Sequence, residues 1–135
     1  MFELHPQLAR DCHLVGDLTL CRVLLMDDAN YPWTILVPRR DSVREICELS
    51  EADQLQLMRE SSQLARAMQT LFHPDKLNIA ALGNRVPQLH LHHVARTTND
   101  PAWPDPVWGR VLRQPYDAGR ARELVASLAV ALRTS

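Results

Sequence analysis

The segment Gln88-Leu89-His90-Leu91-His92-His93-Val94 gathers half of the chain's six histidines into four positions. On an extended strand the side chains alternate, so Gln88, His90 and His92 would face one way and Leu89, Leu91 and His93 the other. Two imidazoles at that spacing are close enough to touch a single phosphate group. A free imidazole titrates at about 6.5, so a neutral nucleophilic ring and a protonated donor coexist near neutrality. That pairing suits phosphoryl or nucleotidyl transfer. The residues leave two other readings open. The rings can be polar groups on the solvated face of a half-buried sheet, or they can be two ligands of a metal ion. His-x-His on a strand is a zinc-ligand geometry, but it needs a third ligand, and only His73, Asp75 or a cysteine, all distant in sequence, offers one.

A strand carrying that segment needs partners to pair with and a layer to pack on. Asp17 to Met26 alternates and reads as a strand ending in the turn-prone Asp27-Asp28-Ala29-Asn30. Thr34 to Val37 is a second apolar run, closed by Pro38, and the two suggest an antiparallel pair. Leu77 to Leu82 and Leu89 to Ala95 form a second pair, separated by Gly83-Asn84-Arg85-Val86-Pro87. Ser42-Val43-Arg44-Glu45 and Ser50-Glu51-Ala52-Asp53 each set a hydroxyl three residues before a carboxylate, a helix-start pattern that predicts a short helix before a long one. Behind Ser50, Leu57, Met58, Leu64, Ala65, Met68, Leu71 and Phe72 recur at helical spacing until His73-Pro74 stops them, predicting a helix over 51–72. A second such pattern behind Asp117 predicts a C-terminal helix over 117–132. Strands and helices mix without strand-helix-strand alternation. The expected fold is therefore α+β, with an antiparallel sheet of about five strands, one long helix and a C-terminal helix.

The 135 residues fit one domain, 1–135, and a hydrophobic fraction of 46% is enough for one packed core. A net charge of -1 leaves no surplus to neutralise a nucleic-acid backbone, so phosphate recognition must be local. Cys12, Cys21 and Cys47 are odd in number and widely spaced, which disfavours disulfides and a cysteine zinc site. No signal peptide or membrane span is read from the chain, and a cytoplasmic location is expected. Asp100 to Gly109 holds three prolines and two tryptophans, Trp103 and Trp108, and should pack as a subunit contact or as a lid on a pocket. Tyr31 and Trp33 either stack on a base or pack their own loop. His93 is expected to be a packed core histidine, and His5, His13 and His73 surface residues. Arg39-Arg40 reads as a solvated strand end.

The segment at 88–94 resembles the signature of the histidine-triad (HIT) superfamily, His-φ-His-φ-His-φ-φ with φ apolar, in register with its second and third histidines. Neighbouring residues extend the likeness over roughly residues 15 to 110. Gly83-Asn84 stands where members often carry Gly-Gln, and Asn78 where an amide is common. Ile35-Leu36-Val37-Pro38-Arg39-Arg40 resembles the family's strand ending in Pro and a basic residue, and Trp103-Pro104 a Trp-Pro of some phosphoramidase-type members. The resemblance implies a homodimer that takes a nucleotide and needs no metal or other cofactor. His90 would be the nucleophile, attacking the α-phosphorus to give a nucleotidyl-histidine intermediate, and His92 would contact the non-bridging oxygens. Asn84, Asn78, Asp27 and Trp33 are the implied nucleotide-binding positions, with Asp27 resembling acids that hold ribose hydroxyls. Two positions depart from the pattern. Gln88 replaces the leading histidine of the catalytic set and cannot titrate, so a proton relay through that position is closed. Trp33 stands where many members have histidine, which removes a phosphate contact. A leaving group of low basicity, such as pyrophosphate, would need the least help. The competing readings are a nucleotide-binding module with little turnover and a metal-dependent hydrolase using His90 and His92.

Overall fold

In the computed structural model, which describes residues 1–135, the elements run α1 (Pro6–Asp11), β1 (Cys12–Asp17), β2 (Cys21–Met26), β3 (Trp33–Pro38), a single 3-10 turn (Ile46–Glu48), α2 (Glu51–Phe72), β4 (Lys76–Ala80), β5 (Leu91–Arg96) and α3 (Ala118–Thr134). The five strands make one sheet in the order β1-β2-β3-β5-β4, and every neighbouring pair is antiparallel. This is the α+β architecture expected.

Both faces of the sheet centre are covered, which is why β3 and β5 are buried along their whole length, β3 as a largely apolar run and β5 with His92, His93 and Arg96 buried among apolar neighbours. On one face Val23, Leu36, Leu91 and Ala95 pack against Leu57, Leu64 and Met68 of α2, while Leu25 meets Leu124 and Leu128 of α3. Each such side chain, fully buried, contributes roughly 2 kcal/mol. On the other face Leu24, Trp33, Ile35 and Val94 pack against Leu8 of α1, Val86, Ala102 and Val107. That second layer is mostly loop, and it leaves the opening that becomes the site.

α2 begins where Ser50 accepts a hydrogen bond from the amide of Asp53, and ends at His73, left-handed at φ 47° and followed by Pro74. Asp117 caps α3 in the same manner. Three expectations are corrected. Asp17 to Met26 is not one strand. Asp17 ends β1, residues 18–20 turn, and β2 starts at Cys21. The run Leu18-Thr19-Leu20 keeps a strand-like pattern because its turn is held from outside, by Glu60 of α2, whose carboxylate accepts from the amides of Leu20 and Cys21, both at 2.8 Å. The helix expected behind Ser42 is a 3-10 turn capped by Glu45 and Glu48, and Ser42 itself is left-handed at φ 56°. The strands after α2 are shorter or shifted, so Gln88 and His90 precede β5 rather than lying in it.

Candidate active site

β5 sits between β3 and β4, with Ile35 opposite His92 and Trp33 opposite Val94, so the side chains of Trp33, Ile35, His92 and Val94 share the loop-covered face. His93, one residue on, points to the helix layer. It is fully buried, and its Nε2 lies 2.7 Å from the Ser61 hydroxyl on α2. This is the core histidine expected, and burial pushes its pKa down to about 4.

His90 and His92 meet edge to face, ring centroids 4.8 Å apart. They form the polar floor of a cleft of about 370 Å³ whose walls are Trp33, Met26 and Trp108, the loop from Leu82 to Val86, and α1 through Gln7, Leu8 and Asp11. Each ring has one nitrogen committed. Nδ1 of His90 lies 2.7 Å from the backbone carbonyl of Gln88. A carbonyl only accepts, so this nitrogen carries the proton and Nε2 keeps its lone pair. Nδ1 of His92 is 3.0 Å from Nε1 of Trp33. An indole N–H only donates, so this nitrogen is bare and the proton of the neutral ring sits on Nε2. Two neighbouring imidazoles are thus held in opposite tautomers, one offering a lone pair and the other an N–H.

Burial keeps both rings neutral. It lowers the pKa of His90, opposed by the Gln88 carbonyl. It pushes His92 down to about 3, helped by the like charges of His90 and His93. Trp33 and Trp108 flank His92 edge to face at 5.7 and 5.2 Å, excluding water from its ring.

Of the residues singled out in the sequence, His90, His92, Trp33 and Asn84 come together in this cleft. Gln88, Asn78 and Asp27 are not among its lining residues. The amide of Gln88 turns away to the N-terminal segment, bonding His5 and Glu3, because β5 begins only at Leu91 and strand alternation does not extend back to residue 88. Asn78 accepts from Nη1 of Arg96 at 2.7 Å. Asp27 pairs with His13 at 3.0 Å and accepts from the amide of Tyr116 at 3.0 Å. Tyr31 is buried behind Trp33 in the core. His5 and His13, expected on the surface, are half-buried and partnered. Arg40 pairs with Asp53, and Arg39 donates to the carbonyls of Leu18 and Thr19.

Trp108, one of the two tryptophans expected to form a subunit contact or a lid on a pocket, also lines the cleft. Among the cleft residues that sequence reasoning missed, Arg85 had a signal in its place after Gly83-Asn84. Gln7, Leu8 and Asp11 had almost none, because a helix of six residues is too short to display a period. No group of three or more His, Cys, Asp or Glu residues is placed to hold a metal ion, so His90 and His92 lack a third protein ligand. No helix is long and apolar enough to cross a membrane.

A HIT domain model matches residues 7–99. A histidine triad protein of Marinobacter aquaeolei VT8 is similar at 51% identity and TM-score 0.96, covering 99% of this chain and 98% of that one. One from Bradyrhizobium japonicum has 48% identity and TM-score 0.95 over 97% and 98% of the two chains. One from Sinorhizobium meliloti 1021 has 40% identity and TM-score 0.94 over 96% of each. No functionally curated protein matches. The paired imidazoles on the loop-covered face, the fold around them and these likenesses agree: the chain belongs to the HIT domain family, which supports a role of the nucleotide-binding or hydrolase type.

Proposed function

We propose that the protein is a nucleotide hydrolase or nucleotidyl transferase that acts at the α-phosphorus of a nucleoside phosphate through a covalent adduct on His90. The observation that carries this reading is the pair of contacts that commits Nδ1 of His90 to the Gln88 carbonyl and Nδ1 of His92 to the Trp33 indole, from which the opposed tautomers of the two rings follow. Nε2 of His90 forms a bond to phosphorus as the bond to the leaving group breaks, and the leaving group takes the bonding pair. The ring becomes a nucleotidyl-imidazolium, its Nδ1–H still on the Gln88 carbonyl, which favours the charged form. Nε2–H of His92 donates to a non-bridging oxygen as negative charge gathers there. Asn84 and Arg85 on the cleft's loop wall are suited to hold phosphate oxygens, and Arg85 takes part in none of the ion pairs of the chain. Water then attacks the same phosphorus, the P–N bond returns its electrons to Nε2, and a nucleoside monophosphate leaves with the spare proton going to solvent.

No titrating acid stands beside the leaving group, because Gln88 fills the leading position of the triad and His92 is held neutral. Leaving groups of low basicity, a pyrophosphate or a polyphosphate, are therefore favoured over an alkoxide. The same two facts favour a second reading, a nucleotide-binding module with little turnover. Intact-mass analysis after incubation with nucleoside polyphosphates and phosphoramidates separates the two. The expected result is an acid-labile nucleotidyl adduct in the wild type that is missing from His90→Ala, with product release that survives exhaustive chelation. Binding without an adduct supports the module. An adduct that persists in His90→Ala overturns the nucleophile, and activity lost with a chelator returns the metal-dependent reading.

A further inference from the structure

Gln88 stands two residues from the reacting ring, yet its side chain is committed elsewhere. Oε1 accepts from the amide of His5 at 2.9 Å, and Nε2 donates to the carbonyl of Glu3 at 2.8 Å. One side-chain amide thus grips both a donor and an acceptor of the same backbone stretch, as a neighbouring strand would. The two bonds bridge 83 and 85 residues of sequence. His5, held in this grip, caps α1. Its Nδ1 accepts from the amide of Gln7 at 3.0 Å, and Pro6 follows it at the first helical position. A helix of six residues does not hold itself together in water. α1 depends on that cap and on Leu8, which is buried among Trp33, Ile35 and Val86. Its exposed side closes one wall of the His90–His92 cleft with Gln7 and Asp11, joined by a bond of 3.0 Å from Nε2 of Gln7 to the carboxylate.

We propose that Gln88 is a positioning residue that latches the segment Glu3–Asp11 against the cleft, making the N-terminal segment a wall of the substrate site. Residue 88 then acts twice. Its carbonyl orients the ring of His90, and its side chain sets what stands beside the phosphate. On the wall it holds, the Asp11 carboxylate already meets Nη1 of Arg113 at 3.5 Å and Nε2 of Gln7 at 3.0 Å. The wall is therefore polar with its charge balanced and presents no unpaired cation to a second phosphate, so the part of the substrate lying there is an uncharged one. This inference rests on the cleft being the nucleotide site proposed above.

The test compares wild type with Gln88→Met, which keeps the length and removes both bonds, and with Gln88→Glu, which keeps the acceptor for His5 and loses the donor for Glu3. Hydrogen exchange is followed at residues 3–11, and steady-state kinetics with a dinucleoside polyphosphate. In Gln88→Met, exchange at residues 3–11 is expected to speed up about tenfold and KM to rise about tenfold, the size of effect two ordinary hydrogen bonds carry. kcat stays within about twofold with an unchanged pH profile, and Gln88→Glu falls between. Unchanged exchange at residues 3–11 overturns the latch. A fall in kcat at constant KM overturns it too, by giving residue 88 a role in the chemistry. A wild-type protein that binds no nucleoside phosphate sinks the nucleotide reading and with it the wall's part in binding, a failure told from that of the latch because exchange is read without nucleotide.

Discussion

Trp33 leaves Nδ1 of His92 without a proton, and this single contact decides what the second imidazole can do. A ring bonded in this way is an N–H donor at Nε2 and a poor base, since protonating Nδ1 would turn the indole bond into two opposed N–H groups. Trp33→Phe keeps most of the wall and frees Nδ1. His92 is then expected to populate both tautomers and its pKa to rise from about 3, with kcat/KM down by about tenfold from the lost donor. The nitrogen shifts of His92 read the tautomer directly, and a ring that remains Nε2–H alone in the variant contradicts the assignment. The same burial gives a pH signature. His92 and His93 have folded-state pKa values of about 3 and about 4, below their ordinary 6.5. The unfolded chain therefore binds more protons between those limits. Their contribution to stability is whole above pH 6.5 and is lost as pH falls toward 4 and then 3. Unfolding free energies from urea titrations should drop between pH 7 and 4.5, above the range where carboxylates take over, by an amount on the order of a few kcal/mol. His93→Gln should take up to about one proton equivalent from that slope, and a wild-type midpoint flat across the window would show the rings to be protonated in the fold.

At the scale of elements, α2 is both the layer under the sheet and the clamp on it. Ser50 sets its start, Ser61 meets His93 behind the site, the Thr34 hydroxyl reaches Sδ of Met68, and Glu60 tethers the turn between β1 and β2. Glu60 is 1% exposed and also accepts from Gln56 at 2.6 Å. Its three donors satisfy the carboxylate, and it in turn satisfies two amides that no strand reaches. Glu60→Ala should cost roughly 3 kcal/mol in chemical denaturation, since it leaves those amides buried without partners, and Glu60→Gln should cost less. Equal stability of all three proteins would remove the tether from the account of the turn. The extent of α2 was legible because its cap, its apolar period and its stop are all local. The turn at residues 18–20 was not, because its stabilising partner is 40 residues away.

At the scale of the molecule, the strand that carries His92 also anchors the loop that covers it. Arg96, 1% exposed, pairs with Asp100 at 2.8 Å and lies between the rings of Tyr31 and Trp103, each 5.7 Å away. Asp100 further accepts from the amides of Thr97, Ala102 and Trp103. This buried pair ties the Trp-Pro loop, and so Trp108, to the end of β5. Asp100→Ala strands the guanidinium without a counter-charge and should cost about 3–5 kcal/mol, with tryptophan fluorescence shifting to the red and KM rising as Trp108 loosens. An unaltered emission spectrum would separate the loop from the ion pair. The order of residues by itself determined the α+β fold, the two helices with their caps, the pairing of His90 with His92 and the inward turn of His93, because these follow from periods and caps read within a few residues. Only the tertiary structure decided which groups finish the site. Gln88 turns to Glu3 and His5, Asp27 to His13 and Tyr116, Asn78 to Arg96, and Gln7, Leu8 and Asp11 arrive to close the wall. Most of these polar side chains bond to whatever chain is brought alongside them, in several cases more than 80 residues distant, and no local pattern records that neighbour.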